Sequence, residues 1–212
     1  MAILEEISAL LQKGKSKEVQ ERVQQAIDSG IGARDILEEG LLPGMNIIGK
    51  QFKNNEVFIP AVLIAARAMN AGVAVLKPHF ASAGVEATGK VVIGTVEGDL
   101  HDVGKNLVRT MMEAKGFQVV DLGVNVPAGK FIAAIRDHKP DIVAMSALLT
   151  TTMDQMKVVM DAIDAAGLRQ TVKVMVGGAP VTDAFRSRIG ADGYAPDAAS
   201  AGDQAVGLVK AA

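Results

Sequence analysis

The sequence predicts two modules: a four-helix bundle over residues 1–85, then an α/β domain with a five-stranded parallel sheet over residues 90–212. Three observations carry this division. Residues 1 to about 80 show helical periodicity only. From Lys90 onward, short continuous apolar runs alternate with helical stretches, the pattern of a sheet covered by helices. Between the two lies 81–89 (ASAGVEATG), small, polar and aperiodic, which is the best linker candidate in the chain.

In the first module, Ile3, Leu4, Ile7, Leu10 and Leu11 recur at helical spacing, and Lys13-Gly14-Lys15 ends that helix. Ser16 is expected to cap a second helix, whose apolar stripe is Val19, Val23, Ala26 and Ile27 and whose stop is Ser29-Gly30. A third helix runs from about Ala33 to Phe52 and is expected to kink or split at Pro43-Gly44. The fourth opens near Pro60, a good first-turn residue, and continues to about Leu76. It is apolar on nearly every face and is expected to be buried on several sides. Short connections make these four an antiparallel bundle.

In the second module the strands are expected at 90–96 (KVVIGTV), 117–122 (FQVVDL), 141–146 (DIVAMS), 172–176 (VKVMV) and, briefly, 193–195. The helical stretches are about 104–115, 128–138, 152–166, 181–188 and 198–210. Continuous apolar strands separated by helices imply a parallel sheet buried on both faces. Five such strands in about 120 residues match a flavodoxin-like (Rossmann-like) doubly wound domain. Right-handed crossovers then bring the carboxyl ends of the first and third strands together at the switch point. The loops at 97–104 and 146–151 are therefore expected to be neighbours, and a ligand is expected between them.

Composition narrows the ligand. The chain is 49% apolar and 22% charged with a net charge of -2, so there is no electrostatic reason to expect nucleic acid or an anionic membrane as partner. No uninterrupted apolar run reaches 18 residues, so no membrane span is expected. The N-terminus, MAILEEISALL, carries acids where a secretory signal carries bases, so a cytoplasmic chain is expected. Without cysteine there is no disulfide and no thiolate metal site. The only histidines are His79, His101 and His138, too few for a multi-histidine metal cage.

The chemistry concentrates in Glu97-Gly98-Asp99-Leu100-His101-Asp102-Val103-Gly104, directly after the first strand. A metal-ligating histidine usually donates its second ring N–H to a carboxylate, which orients the ring and raises its basicity. Asp99, two residues before His101 on one exposed loop, can be that carboxylate. Gly104, with no Cβ, lets a bulky ligand approach the start of the next helix. Ser146-Ala147-Leu148 closes the third strand and Gly177-Gly178 the fourth. Forty-one residues separate Gly104 from Ser146, and 28 separate Leu148 from Gly177.

Asp-X-His-X-X-Gly, Ser-X-Leu and Gly-Gly at these spacings resemble the signature of the cobalamin-binding domains. The resemblance implies a corrinoid bound with its own base displaced and His101 as the lower axial ligand of cobalt. It makes Asp99 and a hydroxyl six residues beyond Ser146 the rest of a relay. That position is Thr152, where the family has serine, and either Thr151 or Thr152 is left to reach Asp99. Asp102, Val103, Gly104, Leu148 and Thr150 inherit contacts to the cofactor, and Ser146 a contact to the displaced base. The nucleotide tail needs a channel walled by small residues, a role assigned to Gly177, Gly178, Ala179 and Gly94.

The first module carries a second resemblance. Gly49-Lys50-Gln51-Phe52 followed by Glu56-Val57-Phe58-Ile59-Pro60 is similar to the helical cap over the upper cofactor face in methionine synthase and in the methanogen and acetogen corrinoid proteins. By position, Phe52, Ile59 and Val62 match the residues that shield the methyl group there; helical spacing alone also predicts Ile59 and Val62 as bundle core. Together the resemblances cover about residues 1–210. They imply the corrinoid subunit of a three-component methyltransferase system, shuttling between cobalt(I) and methyl-cobalt(III). A donor-specific methyltransferase methylates such a subunit, and a second methyltransferase, acting on tetrahydrofolate or coenzyme M, demethylates it. A reductive activator restores it. The donor is left among methoxylated aromatics, methylamines, betaine and methanol, with O-demethylation or methylamine use favoured. A corrinoid-dependent sensor is the alternative, and it would carry a DNA-binding segment. A phosphoacceptor domain would need an aspartate where the third strand ends in Ser146, and a mutase subunit normally lacks the cap.

Overall fold

The computed structural model describes residues 2–80 and 87–210. The chain divides into two units, Met1–Glu86 and Ala87–Ala212. Of the expected linker, 81–86 lie outside the described residues.

The first unit contains α1 (Ala2–Gln12), α2 (Ser16–Asp28), α3 (Ala33–Asp35), α4 (Leu42–Lys53) and α5 (Ile59–Leu76). Leu4, Ile7 and Leu11 of α1 and Val19, Val23 and Ala26 of α2 are buried, as their spacing requires. Small residues let the helices approach closely. A Cβ on Gly72 would stand 2.9 Å from Leu41 and 3.0 Å from Val19, and one on Gly44 would stand 2.9 Å from the Ser8 carbonyl.

Three expectations for this unit are corrected. Ser16 is the first helical residue of α2, not its cap; the N-cap is Lys15, with no side-chain hydrogen bond. The left-handed Gly14 (φ +69°) turns the chain there, so no hydroxyl is needed to start the helix. The third helix is interrupted one turn before Pro43, by a π-helical segment at Ile36–Leu41 that joins α3 to α4. Pro43 has no N–H to continue the regular ladder, and the wider turn, in which Leu42 N–H reaches back to Leu37 O, absorbs the mismatch. Lastly, α5 buries one broad face (Val62, Ala65, Ala66, Ala68, Met69, Gly72, Leu76) and leaves Leu63, Ile64, Arg67 and Asn70 exposed. With its 3₁₀ extension to His79 it is long and apolar enough to cross a membrane by length and composition. Arg67 and Asn70 interrupt its apolar run on the exposed side, and its other face packs into the bundle.

The second unit alternates β1 (Gly89–Thr95), α6 (Val103–Glu113), β2 (Phe117–Asp121), α7 (Ala128–His138), β3 (Ile142–Ser146), α8 (Asp154–Ala165), β4 (Lys173–Gly177), α9 (Asp183–Ile189), β5 (Gly193–Tyr194) and α10 (Ala198–Lys210). All five strands are parallel in the order β2-β1-β3-β4-β5, the doubly wound order expected from the alternation. Successive β1 residues feed opposite faces: Val92 packs with Phe131, Val143 and Met145, while Val91 and Ile93 pack with Met112, Ile142 and Met175. In register, Thr95 lies opposite Ser146, and Ser146 opposite Gly177, so the loops after β1, β3 and β4 leave the sheet at one edge.

Candidate functional site

The site forms where those loops meet. Beyond β1 the pairing continues for one residue, with Val96 N–H donating to Ser146 O at 3.0 Å. The chain then turns through Gly98 (φ +80°), a conformation glycine adopts at little cost. This turn points Asp99 inward, where it is fully buried. Its Oδ1 accepts the His101 backbone N–H at 3.1 Å and His101 Nδ1–H at 2.7 Å. Its Oδ2 accepts N–H bonds from Leu148 (2.7 Å) and Leu149 (3.2 Å) in the loop after β3. The Thr152 hydroxyl lies 2.8 Å from the same oxygen and 2.9 Å from Leu149 O; its one proton goes to the carboxylate, the stronger acceptor. Of the two threonines left open by the sequence, Thr152 reaches Asp99, and Thr150 and Thr151 lie exposed in the turn before it.

This geometry sets the charge. Burial alone would push the Asp99 carboxyl up. The Leu148 and His101 backbone donors, the His101 ring and the Thr152 hydroxyl outweigh it and hold Asp99 well below the usual carboxylate range. An ionised Asp99 keeps the proton on Nδ1, leaving the lone pair on Nε2 for a ligand. The His101 side chain is 50% exposed, so Nε2 is accessible. Leu100 (71%) beside it, Val103 (68%) at the start of α6, and Leu148 and Leu149 in the loop after β3 are also exposed, an arrangement that water penalises and an apolar ligand relieves. A broad, flat macrocycle carrying a metal fits one neutral nitrogen inside an apolar rim. Among the described residues no group of three or more metal-binding side chains converges.

The remaining expected residues fall as follows. Asp102 is the exposed N-cap residue of α6, and its carboxylate accepts from Asn106 Nδ2 at 3.1 Å. At Gly104 a Cβ would meet nothing within 4 Å, so the helix start is open. Ser146 is half-buried at the end of β3. Gly177 O accepts Ala147 N–H at 3.2 Å, and Gly178 (φ +128°) would place a Cβ 1.8 Å from Ala147 O. Gly178 is thus required by packing of the β3 and β4 loops themselves. Gly94 does not wall a channel: the Phe131 ring fills its missing side chain, 2.9 Å from where a Cβ would stand. In the other unit Phe52 is half-buried near the end of α4 and Ile59 is partly exposed in the first turn of α5. Val62 is fully buried, with no surface left for a ligand, whereas Phe58, Leu63 and Ile64, not singled out from the sequence, are exposed.

Several supporting residues were missed. Lys105, in the first turn of α6 and almost wholly buried, donates to both oxygens of Asp121 at the end of β2 (2.8 and 2.7 Å). Arg109 joins the same carboxylate at 3.1 Å. Burial raises the Asp121 carboxyl, and Lys105, the Gly123 N–H and Arg109 more than reverse this. A charged residue ending an apolar strand was the available signal, but its partner depends on the β1–β2 register. Thr95 and Asn125 also hold the His101 loop, through bonds to its backbone.

A B12 binding domain model matches residues 89–202, and a second B12 binding domain model matches residues 3–77. The chain is 42% identical over 195 residues to the trimethylamine corrinoid protein of Methanosarcina barkeri, covering 91% of this chain and 88% of that one. It is 39% identical over 201 residues to a corrinoid protein of Desulfitobacterium hafniense (strain Y51), covering 93% of each. Among solved structures, a chain of the methanol:cobalamin methyltransferase complex of Methanosarcina barkeri superposes with a TM-score of 0.88 at 32% identity, covering all of this chain and 81% of that one.

Proposed function

Because this chain belongs to the corrinoid protein family built on B12 binding domains, we propose that it is a methyl carrier that receives a methyl group from one methyltransferase and yields it to another. The observation that carries this reading is the buried, ionised Asp99 fixing Nδ1 of a half-exposed His101, with Nε2 left free inside an apolar rim. When bound, the corrinoid supplies a cobalt centre that takes up and releases the methyl group. His101 Nε2 would hold the cobalt. Asp99 holds the Nδ1 proton and Thr152 holds Asp99, so a change in donation at Nε2 is felt through two hydrogen bonds. Leu100, Val103, Leu148 and Leu149 would exclude water from the bound macrocycle, Ser146 would contact its displaced base, and Gly177 would leave room for the nucleotide tail. Phe52 and Ile59 belong to the proposed upper shield.

The partners are a donor-specific methyltransferase, an acceptor methyltransferase acting on tetrahydrofolate or coenzyme M, and a reductive activator, all in the cytoplasm. The names of the relatives favour a methylamine as donor over a methoxylated aromatic. His101→Ala, loaded with hydroxocobalamin, tests the site: the visible spectrum of the cobalt(III) form is expected to lose the histidine-ligated signature, and an unchanged spectrum ends the ligand assignment. Methyl transfer to the loaded chain, from a panel of methylamines and methoxylated aromatics each with its methyltransferase, identifies the donor.

A further inference from the structure

No strand or helix ladder holds residues 98–101, yet a metal ligand must be placed to within a few tenths of an ångström. We infer that Asn125 and Thr95 are positioning residues for His101, clamping both ends of the Gly98–His101 backbone and so setting how the imidazole is presented. The inference rests on the reading of His101 as axial ligand.

Asn125 lies in the connection between β2 and α7. Its backbone N–H donates to Asp99 O at 2.9 Å, and its side-chain Oδ1 accepts Gly98 N–H at 2.7 Å. One residue thus grips two consecutive residues of the ligand loop, in opposite senses. It does so at φ +52°, a left-handed backbone that asparagine and glycine tolerate and most residues resist. At the other end, the fully buried Thr95 donates its hydroxyl to the His101 carbonyl at 2.8 Å. Thr95 is itself fixed, with its N–H on Gly123 O at 3.0 Å and its carbonyl accepting Val126 N–H at 2.9 Å. The segment Asp121–Val126 also ties down the far side of the loop, because Asp121 holds both Lys105 Nζ and Gly123 N–H. The ligand loop is therefore bracketed by the tail of β2 as well as by Asp99. These bonds of Asn125 and Thr95 go to backbone atoms rather than to the imidazole, so their influence passes through the backbone.

The test uses the full chain loaded with hydroxocobalamin and reduced to cobalt(II). The unpaired electron there reports an axial nitrogen as a three-line splitting in the electron paramagnetic resonance spectrum. Measurements are made at the pH where the parent chain is half ligated. Asn125→Gly keeps the left-handed backbone and deletes the acceptor; Thr95→Val deletes the hydroxyl at nearly constant shape. Each is expected to raise the ratio of unligated to ligated cobalt roughly fivefold, the ratio one net hydrogen bond supports. Asn125→Asp and Thr95→Ser, which keep the acceptor and the donor, are expected to show no such loosening. An unchanged ratio in both deletions, even with a lowered melting temperature, overturns the inference, as does equal loosening in the conservative pair. If one deletion does not accumulate as folded protein, the other decides alone. A parent spectrum without the splitting, identical to that of His101→Ala, overturns the ligand reading itself, a result distinguishable from failure of the clamp alone.

Discussion

Replacing Asp99 by asparagine keeps the volume of the buried side chain and removes its charge, which makes it the sharpest perturbation of the site. Five donors converge on this carboxylate, two on Oδ1 and three on Oδ2. Asparagine offers one acceptor oxygen. Placed toward Leu148, Leu149 and Thr152, that oxygen leaves the amide NH₂ facing two donors, the His101 N–H and Nδ1–H. The backbone donor cannot adapt. The ring can, by moving its proton to Nε2, which takes away the lone pair needed for the metal. Two hydrogen bonds to a charged group are lost at about 1.5–3 kcal/mol each, offset by about 1 kcal/mol for a new amide-to-Nδ1 bond, so the unloaded chain should lose about 2–5 kcal/mol. Histidine ligation should weaken about 10- to 100-fold, as for other orienting carboxylates. Urea unfolding of the unloaded chain and the cobalt(III) spectrum of the loaded chain read the two effects separately. The sign of the pH dependence follows from the lowered carboxyl. In the interval below its ordinary value of 3.8 the unfolded chain binds the proton that the folded chain refuses, so this stabilisation is complete above that interval and is lost as pH falls through it. The stability gap between parent and Asp99→Asn should therefore narrow in acid. An Asp99→Asn variant as stable as the parent, with histidine ligation intact and a gap independent of pH, would refute the relay.

Other outcomes follow from the surrounding packing. Asp121→Ala leaves the buried Lys105 ammonium without its carboxylate and should cost about 3–5 kcal/mol in denaturant unfolding, whereas the paired change Lys105→Met with Asp121→Ala should recover much of that loss. Gly178→Ala combines a Cβ 1.8 Å from Ala147 O with φ +128° and should lower stability by more than about 3 kcal/mol, seen as a drop in melting temperature. Gly104→Ala meets nothing within 4 Å and should leave the unloaded chain as stable as the parent, yet slow or weaken hydroxocobalamin uptake measured by gel filtration.

Much of this was legible in sequence because it depends on local pattern. Short apolar runs located all five strands to within about a residue, since the central strands β1, β3 and β4 are buried on both faces along most of their length. The Asp99-X-His101 pair was also visible, because two residues on one loop can meet without help from the rest of the fold. Where an expectation depended on the side-chain packing of a neighbour distant in sequence, it failed or stayed open. Gly94 and Gly178 look alike as glycines near strand ends; one makes room for Phe131 and the other for the Ala147 carbonyl. The burial of α5 could not be judged from its composition, because only packing decides which of its apolar faces stays exposed.

By itself the sequence determined the two modules, the parallel sheet and the pairing of Asp99 with His101, since periodicity and short-range spacing suffice for each. Only the tertiary structure decided what surrounds that histidine. The β1–β3 register put Thr152 rather than Thr151 on Asp99, and the tail of β2 brought Asn125 to the backbone of the same loop. Those contacts span 53 and 27 residues of chain, and only the pairing of strands makes such distances short.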